Sequence, residues 1–184
     1  MQRALVDQAK RGDEEAFDAL ARTVGDKCMA IANRILRDAD LSEDAVQAAL
    51  ITAWKELRSL RDPDRFEPWL HRILTRCCYA EARRRRQWSA SVRIVPVEDT
   101  YGPDDTLTVQ RRDQIDRAFR RLTLEQRTVL VFHHYLDLPL SEVADRLDIP
   151  IGTAKSRLHH ATSALRASLS ADDRTPSIAE ERLA

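Results

Sequence analysis

Two short amphipathic runs separated by Pro150 constrain this chain more than any other feature in it. They lie within Leu140-Ser141-Glu142-Val143-Ala144-Asp145-Arg146-Leu147-Asp148-Ile149-Pro150-Ile151-Gly152-Thr153-Ala154-Lys155-Ser156-Arg157-Leu158. Pro150 has no N–H and disfavours helical geometry just before it, so the runs cannot continue as one helix. Ser141 is expected to cap the first helix, and Gly152-Thr153 to open and cap the second. In that second helix Ala154, Leu158, Ala161 and Leu165 fall on one side at a 3.6-residue period. Lys155, Ser156, His159, His160 and Ser163 point the other way, with Arg157 on the flank. Such side chains reach phosphates and base edges. A helix, a tight turn and a helix with this outer face have the shape that a major-groove reader needs. The plainer alternative is a helical hairpin with a solvated polar face.

Composition narrows the class. Of 184 residues, 43% are hydrophobic and 33% charged, enough for a core under a heavily charged surface. Only four glycines and 5% aromatics argue against a β-rich fold. Formal net charge is zero, which excludes a blanket attraction to nucleic acid and makes local segregation of charge decisive. Met1-Gln2-Arg3 leads into a polar stretch, and no apolar run approaches the roughly 20 residues that span a bilayer. No membrane insertion is therefore expected. Cys28, Cys77 and Cys78 lack metal-ligand spacing, and their odd number suits a reducing cytoplasm. Cys28 and Cys77 fall on apolar helix faces and read as small core residues.

The chain reads as all-α. Phe17, Leu20, Val24, Cys28, Ile31 and Ile35 mark a long helix from about Asp13 to Arg37. After a short break at 38–41, Ser42 is expected to start a second helix. Its buried face is Ala45, Val46, Ala49, Leu50, Ala53, Trp54, Leu57 and Leu60. Arg61-Asp62-Pro63-Asp64-Arg65 is a polar loop, and a third helix runs from near Phe66 to about Arg86. Periodicity then fails: Pro96, Gly102 and Pro103 stand among Glu98, Asp99, Asp104 and Asp105, as expected of an acidic, flexible linker. It returns at Ile115, Ala118, Phe119 and Leu122. The expected layout is two small helical domains, 1–87 and 114–170, joined by a linker over 88–113, with a tail over 171–184.

The third helix carries a second basic surface. Leu70, Ile73, Cys77 and Ala80 form its apolar side, while Arg72, Arg76, Tyr79 and Arg83 share another face, continued by Arg86. Six arginines occupy the fifteen positions from 72 to 86, with Glu81 the sole acid, more than helix-end capping requires. Guanidinium groups beside an aromatic suit phosphate and exposed bases. The second helix has the opposite character. Glu43, Asp44, Gln47, Lys55 and Glu56 lie off its apolar stripe, an acidic and amide-bearing face that suits a basic protein partner. There is no Gly-rich phosphate loop, no nucleophile elbow and no His-x-x-x-His spacing, so neither an enzyme nor a cofactor is expected. His71 reads as a surface residue.

These stretches together resemble the extracytoplasmic-function group of bacterial sigma factors, the two-domain specificity subunits of RNA polymerase. Ser42-Glu43-Asp44-Ala45-Val46-Gln47 resembles the helix that docks on core polymerase. Phe66 through Arg86 resembles the helix for the minus-ten element, and Leu122 through Leu158 resembles the domain that reads the minus-thirty-five element. The resemblance implies that Glu43, Asp44 and Gln47 bind core polymerase. It implies that Arg61, Arg65, Phe66, Arg72, Arg76, Tyr79, Arg83 and Arg86 hold the melted non-template strand. It implies that Thr153, Lys155, Ser156, Arg157, His159 and His160 meet the duplex, while apolar residues around Leu130 engage the polymerase flap. An anti-sigma factor is an expected partner. Arg76 and Ala80 depart from the usual Asn and Asp, so base-specific contacts are not carried over there. The competing reading is a stand-alone helix-turn-helix regulator that binds operators as a dimer.

Overall fold

The computed structural model describes residues 2–91 and 115–172, with side chains given for 2–88 and 115–170. Of the linker expected over 88–113, residues 92–113 lie outside the described residues, as do 173–184 of the tail expected over 171–184. Every regular element among the described residues is helical. Helix α1 spans Gln2–Lys10, α2 Glu14–Leu36, α3 Ala39–Glu56 and α4 Phe66–Ser91. Residues 115–120 belong to α5. Helix α6 spans Leu124–Leu130, α7 Leu140–Leu147 and α8 Ile151–Asp172.

Local chemistry sets most of the boundaries. Gly12, at φ 97°, supplies the left-handed turn between α1 and α2. Asp13 caps α2 by accepting the Ala16 N–H at 3.0 Å, and Arg37 ends it in the left-handed region. Asp38 then caps α3 through the Leu41 N–H. Ser42 is therefore not the start of that helix. It lies one turn inside, fully buried, with its hydroxyl donating to the Asp38 carbonyl. Thr123 and Gln126 form a reciprocal capping box at α6. Helix α4 continues to Ser91, past the expected limit at Arg86 and into the first positions assigned to the linker.

The helix-turn-helix forms with different punctuation from that expected. Pro139, not Ser141, occupies the position before α7. Asp148 closes α7 with φ 55°, and the Pro150 carbonyl accepts the Thr153 and Ala154 N–H groups to open α8. Thr153 is thus inside the helix.

Helices α2, α3 and α4 build the larger core from Leu20, Val24, Ile31, Ala45, Ala49, Ala53, Leu70, Ile73 and Leu74. On α4 the buried sulfur is Cys78, with Cys77 half-buried and Ala80 exposed, so the apolar stripe is rotated from the expected one. Burial pushes the Cys28 and Cys78 thiols up to about 11 and about 12, which keeps both protonated at neutral pH. Leu122, Leu130 and Ala161 form a smaller cluster under α8, whereas Ile115 is exposed. Leu130 is buried there and offers no free apolar surface to a partner.

The larger core does not stop at α4. Leu124, Val129, Val131, Phe132 and Val143, all from the C-terminal half, belong to the same cluster. The two halves share one interior.

Candidate nucleic-acid and polymerase interface

Each expected face can be followed from its backbone. On α3, Ala45, Ala49 and Ala53 turn inward, which leaves Glu43, Asp44 and Gln47 exposed on the other side. Asp44 pairs with Arg84 of α4 at 3.3 Å. A groove of about 270 Å³ beside that pair is lined by Leu41, Asp44, Arg84, Arg85 and Trp88. Ile51, one turn beyond Gln47, is a large apolar residue left open to solvent. Periodicity could have flagged it: Ile51 stands out of phase with the inward alanines.

On α8, Ala154 and Ala161 are fully buried against the helices beneath. Lys155, Ser156, His159 and His160 are exposed, while Thr153 and Arg157 are half-buried. The His159 and His160 rings lie edge to face at 5.8 Å. Lys155, Ser156, His159 and His160 are open to solvent, as their spacing predicts, with Thr153 and Arg157 partly covered.

The α4 face is different. Arg76, Arg83 and Arg86 are exposed, and so is Arg61 in the loop before it. Phe66 is 2% exposed and is part of the core, so it cannot stack on a base without unfolding its surroundings. Tyr79 packs on the core with the Thr128 side chain of α6 as hydrogen-bond partner, and burial raises its pKa. Arg72 turns to α7: its Nη2 donates to the Asp145 carbonyl at 2.7 Å and to the Asp145 Oδ1 at 3.1 Å. Arg65 approaches the other Asp145 oxygen at 3.7 Å. The stripe read on one helix is thus divided between solvent and the C-terminal half.

The seam between the halves holds residues that sequence reasoning misplaced. His71 is 2% exposed rather than on the surface. Its ring edge meets Phe132 at 5.7 Å, and Nδ1 lies 2.9 Å from Arg146 Nη1. Arginine only donates, so Nδ1 must be the acceptor and the proton sits on Nε2 of a neutral ring. Burial and the Arg146 charge push the His71 pKa down to about 4. Further along the seam, Arg37 pairs with Asp116 at 2.6 Å, and the Arg34 guanidinium covers the Tyr135 ring at 3.7 Å. Arg127 donates to the Leu36 carbonyl at 3.4 Å. Lys27, Glu67, His71, Tyr135, Leu136, Leu138 and Arg146 line a cleft of about 430 Å³. A signal was present, since Val143 and Leu147 give α7 its apolar face and Asp145-Arg146 flank it, but nothing local says what that helix meets.

Residues 20–88 match the family model for sigma-70 region 2, and residues 112–165 match that for sigma-70 region 4. The ECF RNA polymerase sigma factor SigM of Mycobacterium tuberculosis is 31% identical over 155 residues, covering 84% of this chain and 77% of SigM.

The chain belongs to the ECF sigma factors of RNA polymerase.

Other ECF sigma factors agree. SigW of Bacillus subtilis is 28% identical over 176 residues, covering 89% of this chain and 94% of SigW. The sigma-E factor of Escherichia coli K12 is 28% identical over 173 residues, covering 88% and 90%. Two solved structures share the fold. CnrH, in complex with the cytosolic domain of CnrY, superposes with a TM-score of 0.66 at 24% identity, covering 93% of this chain and 98% of CnrH. The sigma factor RpoE of Bartonella quintana, in complex with the anti-sigma factor NepR, superposes with a TM-score of 0.69 at 24% identity, covering 85% and 98%. As an ECF sigma factor the chain serves transcription initiation, so the stand-alone regulator is not favoured. No helix among the described residues is long and apolar enough to cross a membrane.

Proposed function

We propose that this ECF sigma factor docks on core polymerase through Glu43, Asp44 and Gln47, and divides promoter recognition between α4 and α8. The observation that carries the reading is the α3 surface. Its acids and amide are exposed together, while the opposite side of the same helix is spent on the core. An exposed carboxylate patch steers a basic partner and suits protein better than DNA.

Arg61, Arg65, Arg72, Arg76, Tyr79, Arg83 and Arg86 would hold the opened strand by charge and stacking, with Phe66 supporting them from the core rather than touching a base. Thr153, Lys155, Ser156, Arg157, His159 and His160 would meet the minus-thirty-five duplex. The protein makes and breaks no bond; it positions polymerase in the cytoplasm. An anti-sigma factor is proposed as a second partner, by analogy with the complexes of CnrH with CnrY and of RpoE with NepR.

The test is co-elution of the full chain with bacterial core polymerase, followed by transcription from a cognate promoter. Wild type is expected to co-elute, and an Asp44→Arg, Gln47→Ala variant to lose at least tenfold in core affinity while keeping its helical content. Failure of the wild type to join core would sink the docking reading. Tight duplex binding with a two-fold symmetric footprint and no polymerase would favour an operator-binding dimer instead.

A further inference from the structure

The first helix of the helix-turn-helix lies on the arginine face of α4, and the contact is specific. Arg72 uses one nitrogen on both the backbone carbonyl and the carboxylate of Asp145. That carbonyl lies in the last turn of α7, where it also accepts the Asp148 N–H at 3.3 Å and where the negative end of the helix dipole attracts a cation. Arg65 flanks the same carboxylate from the other side. One residue on, Arg146 is mostly buried, held by Glu142 at 3.2 Å and by the neutral His71 ring at 2.9 Å. Beneath them Val143 and Phe132 join the core of the N-terminal half.

Apolar burial supplies the attraction, but it is non-directional. The Asp145–Arg146 pair supplies the register: a carboxylate against two arginines, and a donor against a buried acceptor. The Arg72 nitrogen engaged by Asp145 is not free for a phosphate.

We propose that Asp145 and Arg146 form an intramolecular latch, which holds the C-terminal half over Arg65, Arg72 and Tyr79 and occludes part of this chain's own strand-binding face until it is released. The inference rests on the assignment of those arginines to DNA made above. It adds a device built into the chain itself, one that works without any inhibitor bound. A partner that inserts a stronger anion, such as a nucleic-acid phosphate, competes with Asp145 for Arg72 and opens the seam.

The experiment uses the full chain without polymerase, at neutral pH and low salt. The radius of gyration is measured by solution scattering, and affinity for a short labelled single-stranded oligonucleotide by anisotropy. Asp145→Arg, which sets a like charge against Arg65 and Arg72, is expected to increase the radius of gyration. Asp145→Ala is expected to tighten oligonucleotide binding roughly fivefold, the scale of one ion pair. Asp26→Ala makes the same change of net charge at an exposed site on α2 and is expected to leave binding within twofold. An unchanged radius for Asp145→Arg, or an equal gain from Asp26→Ala, would overturn the latch. Opening without any gain in oligonucleotide affinity would uphold the latch and overturn the assignment of Arg65 and Arg72 to DNA.

Discussion

The α4 and α8 faces are built on the same helical period, from the same kinds of side chain, and end in different states. On α8 the inner stripe is narrow and made of Ala154, Leu158 and Ala161, so Lys155, Ser156, His159 and His160 off it are left to solvent. On α4 the buried set is wider. Leu70, His71, Ile73, Leu74, Thr75 and Cys78 are all buried, and Arg72 and Tyr79 lean on the other half. A helix at the edge of a fold shows its polar face unaltered, whereas a helix between two partners keeps only the part that neither partner covers. Basic residues therefore report an electrostatic capacity, and availability is a separate property decided by packing.

The largest expected effect separates support from contact. Phe66 lies with the strand-binding residues in sequence but in the core by position. Phe66→Ala should cost ~3–5 kcal/mol of stability in denaturant unfolding, as deletion of a buried ring does. A cost below ~1 kcal/mol with a selective loss of promoter opening would return Phe66 to the DNA face.

The seam should respond to acid. The groups facing His71 are Arg146 from α7, Lys27 from α2 and Glu67 from α4 itself. Its pKa is lowered from 6.5 to about 4 in the closed protein. An exposed or unfolded His71 therefore binds a proton at a pH where the closed form does not. The contribution is fully present above pH 6.5 and is lost as pH falls from there towards 4, by about 1.4 kcal/mol for each unit. A second proton on the ring would also displace the Arg146 donor from Nδ1. Compactness or melting temperature followed between pH 7 and 5 should drop in the wild type and change less in His71→Gln. Parallel profiles for the two proteins would show that the seam does not depend on that ring.

The smallest effect tests the open face. Lys155→Ala on α8 should reduce the slope of log affinity against log salt for minus-thirty-five duplex by about 0.9, the share of one phosphate contact. Helical content should be unchanged, because Lys155 is exposed. An identical salt slope would remove Lys155 from the duplex contacts and weaken the contrast between the two faces.

Periodicity located α2, α3, α4 and α8 because each carries an apolar stripe, although on α4 the buried side is rotated from Cys77 and Ala80 to Cys78. It was less able to fix ends. Ser42 and Ser141 look like caps by residue type, yet Asp38 and Pro139 take the positions before those helices. Capping residues compete locally, and the one with the right backbone angles wins. Within the candidate site, the exposed residues of α3 and α8 were legible because no second partner covers them. His71, Tyr79 and Phe66 were not. An imidazole, a phenol and a phenyl ring can each face water, base or core, and only the neighbouring helix decides among these.

From the order of residues alone came an all-α chain, a helix-turn-helix, an acidic face on one helix and arginines on the next. Local propensity and a 3.6-residue period are properties of neighbouring residues, so they can be read along the chain. Residues 72 and 145 meet because two halves distant in sequence share one core, and that pairing is set by shape and burial. Which arginines remain open, and that His71 is neutral and enclosed, were therefore decided only when the helices packed.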